Sequence, residues 1–282
     1  MALRVVVAIL AAGLLGLGGC AVGSTPTPTG RPGLSPVPAP ADRAPVPASE
    51  PGYRPATGVP TVVSHGSSSG RRIALTFDSN MTEAMLRRLD AHQVDSYANP
   101  AVVDELQARD APATFFLSGL WVQRYPELTR RIAADPRFEL ASHSYAHRGF
   151  TASCYTLDPL PADQMAADVE RSFAVLAPFG GRQTRYFRFP GGCYDRAALR
   201  ALAGTHTTVI QYDDVGDDPF NDDAAGITAT VLAQAHAGAI VVLHITKGNA
   251  PRTADALPGV IDGLRARGYH LVTLSELLTA TH

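Results

Sequence analysis

Seven short apolar runs, each closing on polar residues and set apart from the next by a loop or an amphipathic stretch, restrict what this chain can fold into. They cover residues 73–77, 113–117, 138–141, 186–189, 209–212, 239–243 and 271–274. Amphipathic segments at 162–176, 195–203, 227–237 and 254–267 fall between them. Strands alternating with helices over about 210 residues predict a parallel α/β domain, because each buried strand needs a crossover helix to return the chain to the same edge. Periodicity alone does not decide between a closed barrel and an open sheet. Asp78, His143, Arg188, Asp213 and His244 each end or follow one of the runs. Parallel α/β barrels gather their reactive side chains at that end of the strands.

The first quarter of the chain is a different polymer. Residues 5–17 form an uncharged apolar and glycine run after Arg4. At 1.5 Å per residue this run gives about 20 Å of helix, too short for a bilayer core of roughly 30 Å. It fits the core of a secretory signal peptide. The run leads into Leu17-Gly18-Gly19-Cys20, which resembles a bacterial lipobox, so residues 1–19 are expected to be a lipoprotein signal peptide and Cys20 the acylated mature terminus. Two acyl chains hold a protein stably on a membrane where one does not. Eleven of the 22 prolines lie between Pro26 and Pro60, so residues 20–70 are expected to be a disordered tether and 71–282 the folded domain. With a net charge of −2 and 45% hydrophobic residues, the chain as a whole is neither a disordered polyelectrolyte nor a basic nucleic-acid binder.

Five segments, in order, carry a resemblance. They are Thr76-Phe77-Asp78, His143-Ser144-Tyr145-Ala146-His147, Arg188-Phe189-Pro190-Gly191-Gly192, the stretch from Tyr212 to Phe220, and Val242-Leu243-His244. Together they resemble the motifs of the polysaccharide deacetylase family, the fourth family of carbohydrate esterases. The resemblance implies a distorted (β/α) barrel. It also implies a metal-dependent hydrolase that removes N-acetyl groups from a polysaccharide, with Asp78 as general base, Arg188 orienting it, and His244 as general acid. His143 and His147 would be metal ligands. Their i, i+4 spacing would put both imidazoles on one side of a helical turn, where a divalent ion such as zinc, cobalt or nickel suits them.

The sequence departs from the family pattern in three places. Where the family has a second aspartate as third metal ligand, Ser79 and Asn80 follow Asp78. Asn80 through its carbonyl is the first candidate for that place, Asp78 the second, and a weak metal site the third. The tryptophan usual beside the fourth motif's aspartate is missing, which leaves Asp218, then Asp213, to pair with His244. Gly191 stands where a tyrosine is common, keeping the backbone N–H that would face an oxyanion. Cys154 and Cys193 follow the second and third motifs and are expected to form a disulfide, because both loops converge on the mouth of such a barrel. An anchored monomer outside the cytoplasm would reach peptidoglycan first, with chitin-like polymers and O-acetylated xylan as other substrates. The alternatives are an O-acetyl esterase and a catalytically silent wall-binding lipoprotein.

Overall fold

The computed structural model describes residues 58–279. The expected signal peptide, the Cys20 expected to be acylated and the expected tether up to residue 57 lie outside the described residues. Nine strands are present there: β1 (Val62–Val63), β2 (Arg72–Ser79), β3 (Ala113–Leu117), β4 (Phe138–Ser142), β5 (Arg182–Phe187), β6 (Thr208–Ile210), β7 (Asp214–Val215), β8 (Ile240–His244) and β9 (His270–Val272). Every pairing between them is parallel, in the order β1-β6-β5-β4-β3-β2-β8-β7, with β9 joined to the start of β2. The sheet is curled into a distorted, open (β/α) barrel. The helices are α1 (Glu83–Asp90), α2 (Pro100–Ala108), α3 (Gly119–Arg124), α4 (Pro126–Ala134), α5 (Ala162–Leu176), α6 (Arg196–Ala201), α7 (Ala224–Gln234), α8 (Thr253–Ala266) and α9 (Leu274–Thr279). No helix among the described residues is long and apolar enough to cross a membrane.

Alternation along the strands builds two cores. Ile73, Leu75 and Phe77 of β2 pack with Val241 and Leu243 of β8 and with the helices. Ala74 faces the other way, joining Phe116, Ala141, Ile210 and Ile240 inside the barrel, where Leu274 and Leu277 of α9 plug the lower end. Glu139, buried on β4, holds that plug. Its carboxylate accepts hydrogen bonds from the backbone N–H of Ser275 (3.1 Å), from Thr114 (3.1 Å) and from Arg182 (3.0 Å).

Two boundaries differ from the sequence reading. The folded domain, expected from residue 71, begins sooner, because Val62 and Val63 pair in register with Val209 and Ile210 and complete an edge of the sheet. β5, expected over 186–189, begins at Arg182 rather than Tyr186. Its residues alternate between exposed and half-buried until Phe187, so it carries no continuous apolar run.

β7 contains an unfavourable group. Asp214 is fully buried opposite Val241, and neither carboxyl oxygen has a hydrogen-bond partner among the described residues. Burial, helped by the charge of Asp213, pushes its carboxyl up from 3.8 to about 8. The folded chain therefore holds this proton more tightly than the unfolded chain. The contribution to stability is fullest below about pH 4 and is lost as the pH rises towards 8. Asp214→Val is expected to raise the thermal midpoint at pH 8 by at least about 3 °C, and by less at pH 5, as melts at the two pH values would read.

Candidate active site

The upper end of the barrel is polar because the inward-facing positions change from apolar to charged along each strand. On β2 the inward sequence is Ala74, Thr76, Asp78, and Asp78 lies in register with His244, the last residue of β8. Arg188 follows β5 and enters the barrel with no exposed surface. Its guanidinium donates to Asp78 Oδ1 (2.7 Å), Thr76 Oγ1 (2.9 Å) and the carbonyls of Ile210 (3.3 Å) and Gln211 (3.4 Å). It lies 4.0 Å over the Phe116 ring. Burial alone would raise the Asp78 carboxyl. The charge of Arg188, the largest opposing cause, reverses this and holds it below the usual carboxylate range.

His143 directly follows β4. Its Nδ1 lies 3.0 Å from the carbonyl oxygen of Arg188, which can only accept, so Nδ1 carries the proton and Nε2 the lone pair. That Nε2 is 3.7 Å from Asp78 Oδ2. Burial drives the His143 imidazole down to about 4, against the pull of Asp78, so it is neutral near pH 7.

The two histidines do not share a helix. Ser144 (φ 68°) and His147 (φ 51°) are left-handed, and the segment is a turn that folds the second ring to 4.9 Å from the first. Asp168 on α5 accepts from the backbone N–H groups of Tyr145 (2.8 Å) and Ala146 (3.4 Å), and Ser144 Oγ from that of His147 (2.9 Å). The chain can pass so close to α3 because residue 119 is glycine. A Cβ there would lie 2.4 Å from the Tyr145 ring.

On the other wall, His244 Nδ1 donates to Asp218 Oδ1 (2.9 Å). Asp218 is itself fixed by the backbone N–H of His244 (2.8 Å) and the hydroxyl of Thr253 (2.5 Å). Burial works to lower the His244 pKa, but the Asp218 carboxylate outweighs it and raises the pKa above the ordinary value. Asp213 plays no such part. Its carboxylate accepts from the N–H of Ile240 (2.9 Å) and pairs with His236 (3.0 Å). Ile240 begins β8 and His244 ends it, so Asp213 is held four residues down the strand, about 13 Å below the histidine.

Zinc, cobalt or nickel would have to be held by what remains. Among the described residues no group of three His, Cys, Asp or Glu side chains is placed to bind an ion. Ser79 Oγ instead accepts from the N–H of Ser118 (2.9 Å). Yet both ring nitrogens of His147 and Oδ1 of Asn80 are buried without a partner among those residues, and the lone pair of His143 Nε2 is free of the Arg188 contact. The Asn80 N–H donates to Thr246 Oγ1 (2.7 Å) and fixes that residue beside β8. Two neutral imidazoles and an amide oxygen fit a divalent ion of that kind. Asp168, Thr246 and Thr253, which hold this frame, carry no signal in the sequence.

Cys154 and Cys193 form a disulfide with Cα atoms 5.9 Å apart. It ties the loop beyond His147 to the loop beyond Arg188.

The polysaccharide deacetylase family profile matches residues 65–210. A peptidoglycan-N-acetylglucosamine deacetylase of Bacillus cereus is 29% identical over 212 residues, covering 74% of this chain and 89% of that protein. Among solved structures, a peptidoglycan N-acetylglucosamine deacetylase superposes with a TM-score of 0.65 at 22% identity, over 78% of this chain and 94% of the other. A Bacillus anthracis protein described as a pseudoenzyme of the same esterase family gives 0.62 at 22%, over 77% and 69%. At these identities the two structures speak for the fold alone.

Removing one member of a buried ion pair leaves the other unpaired. Arg188→Met is therefore expected to cost about 3–5 kcal/mol, and adding Asp78→Asn should restore part of it. Urea unfolding of the single and double variants measures both.

Proposed function

Because the chain belongs to the polysaccharide deacetylase family, we propose that it removes N-acetyl groups from a cell-wall polysaccharide, peptidoglycan first, as a metal-dependent enzyme anchored outside the cytoplasm through Cys20. The observation that carries this reading is the placement of an ionised, buried Asp78 beside His143 and in register with His244. Bound by His143, His147 and Asn80, a divalent ion would supply Lewis acidity, polarising the acetamide carbonyl and lowering the pKa of the attacking water.

The protein's own groups do the rest. Arg188 occupies Asp78 Oδ1 and leaves Oδ2, on the side of His143, to take a proton from the water. The N–H of Gly191 would donate to the oxyanion, as preorganised backbone donors do. His244, its Nδ1 proton committed to Asp218, has Nε2 to protonate the departing nitrogen, so that acetate leaves and the amine remains. The carboxylate of Asp218 keeps that imidazole charged to higher pH.

Acetate release from N-acetylated glycan by purified protein, with metal content measured on the same sample, tests the reading. His147→Ala is expected to lose both the metal and the activity while unfolding at nearly the wild-type temperature. Ser79→Asp should tighten zinc at least about tenfold, since it restores a charged ligand where loss of even an indirect partner costs 10- to 100-fold. His244→Ala should lower kcat by about 10²–10⁴-fold, and Asp218→Asn should move the alkaline limb of the pH profile downward. Ser79 favours a second reading, a wall-binding lipoprotein without catalysis. Glycan binding with neither acetate release nor bound metal in the wild type would establish it.

A further inference from the structure

Two large apolar side chains are exposed among the described residues, Tyr155 at 56% and Phe220 at 66%. They come from different loops, 65 positions apart in sequence, yet their rings lie 6.3 Å apart at 27°, nearly parallel. Neither covers a hydrophobic core. Exposed aromatic surface is unfavourable in water, and a pair brought together by two separate constraints is unlike the scattered exposure expected of a soluble surface.

Both constraints reach into the site. Tyr155 directly follows Cys154 of the disulfide and is held left-handed (φ 51°). Its ring edge lies against the α-carbon of Gly191, where a Cβ would come 3.0 Å from Tyr155 Cδ2 and 2.7 Å from Cys154 Sγ. Thus Tyr155 occupies the space that a side chain at 191 would fill. Phe220 closes a turn by donating its N–H to Asp217 O (2.9 Å) and stands two residues beyond Asp218, which holds His244. The stacked pair therefore joins the loop beyond His147, packed against Gly191 with its oxyanion N–H, to the loop carrying the acid's partner.

We infer that Tyr155 and Phe220 form an aromatic platform for a pyranose ring of an N-acetylated polysaccharide, the sugar unit next to the one that reacts. A pyranose presents a face of C–H groups and an edge of hydroxyls. A flat, wet aromatic surface with one phenolic hydroxyl matches that division, whereas a charged or purely aliphatic patch would not. The disulfide fixes the tyrosine half in advance, so little ordering cost remains at binding. The inference rests on the reading that such a glycan is the substrate.

Calorimetric titration with a hexamer of β-1,4-linked N-acetylglucosamine tests it, alongside acetate release from the same hexamer. Tyr155→Ala and Phe220→Ala are each expected to weaken binding about three- to tenfold, the range of aromatic ring contacts. Tyr155→Phe should bind nearly as wild type, and all variants should melt at the wild-type temperature because both rings are exposed. Unchanged Kd and KM in both alanine variants would overturn the platform, and so would a wild-type protein that does not bind the hexamer at all. Acetate release with unchanged binding would overturn the platform and keep the deacetylase reading. Weakened binding in the variants, with no acetate released by the wild type, would keep the platform and overturn catalysis.

Discussion

A guanidinium sealed inside the barrel is the constraint that the site depends on. A charge without solvent is tolerated only when its donors and its field are matched, and Arg188 meets this with a carboxylate, a threonine hydroxyl, two backbone carbonyls and an aromatic face. Those partners come from β2, β3 and the end of β6, so the pair can form only when these strands are in register. The same residue does two further things. Its positive charge keeps Asp78 ionised, and its carbonyl selects the His143 tautomer. One side chain and its own backbone thus fix the protonation states of two neighbouring groups.

Charge is also placed at the opposite end. Glu139 gathers Thr114, Arg182 and the first turn of α9 at the lower mouth, while Asp78 gathers the upper one. Between them lies a small apolar layer of Ala74, Phe116, Ala141, Ile210 and Ile240. The division follows from strand alternation: the outward residues of β2 as far as Phe77, and those of β8, are apolar and pack against helices, which leaves the inward ones to vary along the barrel.

Much of this was legible in the sequence, and the parts that were not have physical causes. The buried strands β2, β3, β4 and β8 stand out as apolar runs, and α5 as a 15-residue amphipathic segment. β1 did not stand out, since two valines among prolines and serines become a strand only by pairing with β6. The histidine spacing brought the two rings together for a reason other than a helix, because no pattern in the sequence signals positive φ at Ser144 and His147. Choosing between Asp213 and Asp218 required knowing which end of β8 each one faces. The disulfide was readable once the motif order was, since it joins two loops that leave neighbouring strands at the same end.

Among the described residues the run of strands from β1 to β7 ends on each side in a strand of two residues, β1 and β7. Long exposed edges offer a row of unpaired N–H and C=O groups to any extended chain, and proteins limit this by shortening them. Here an incoming strand would find two residues of ladder on either side, too few to register. An open parallel barrel, which by its topology keeps two edges, is in this way guarded against association through its own hydrogen bonds without having to close.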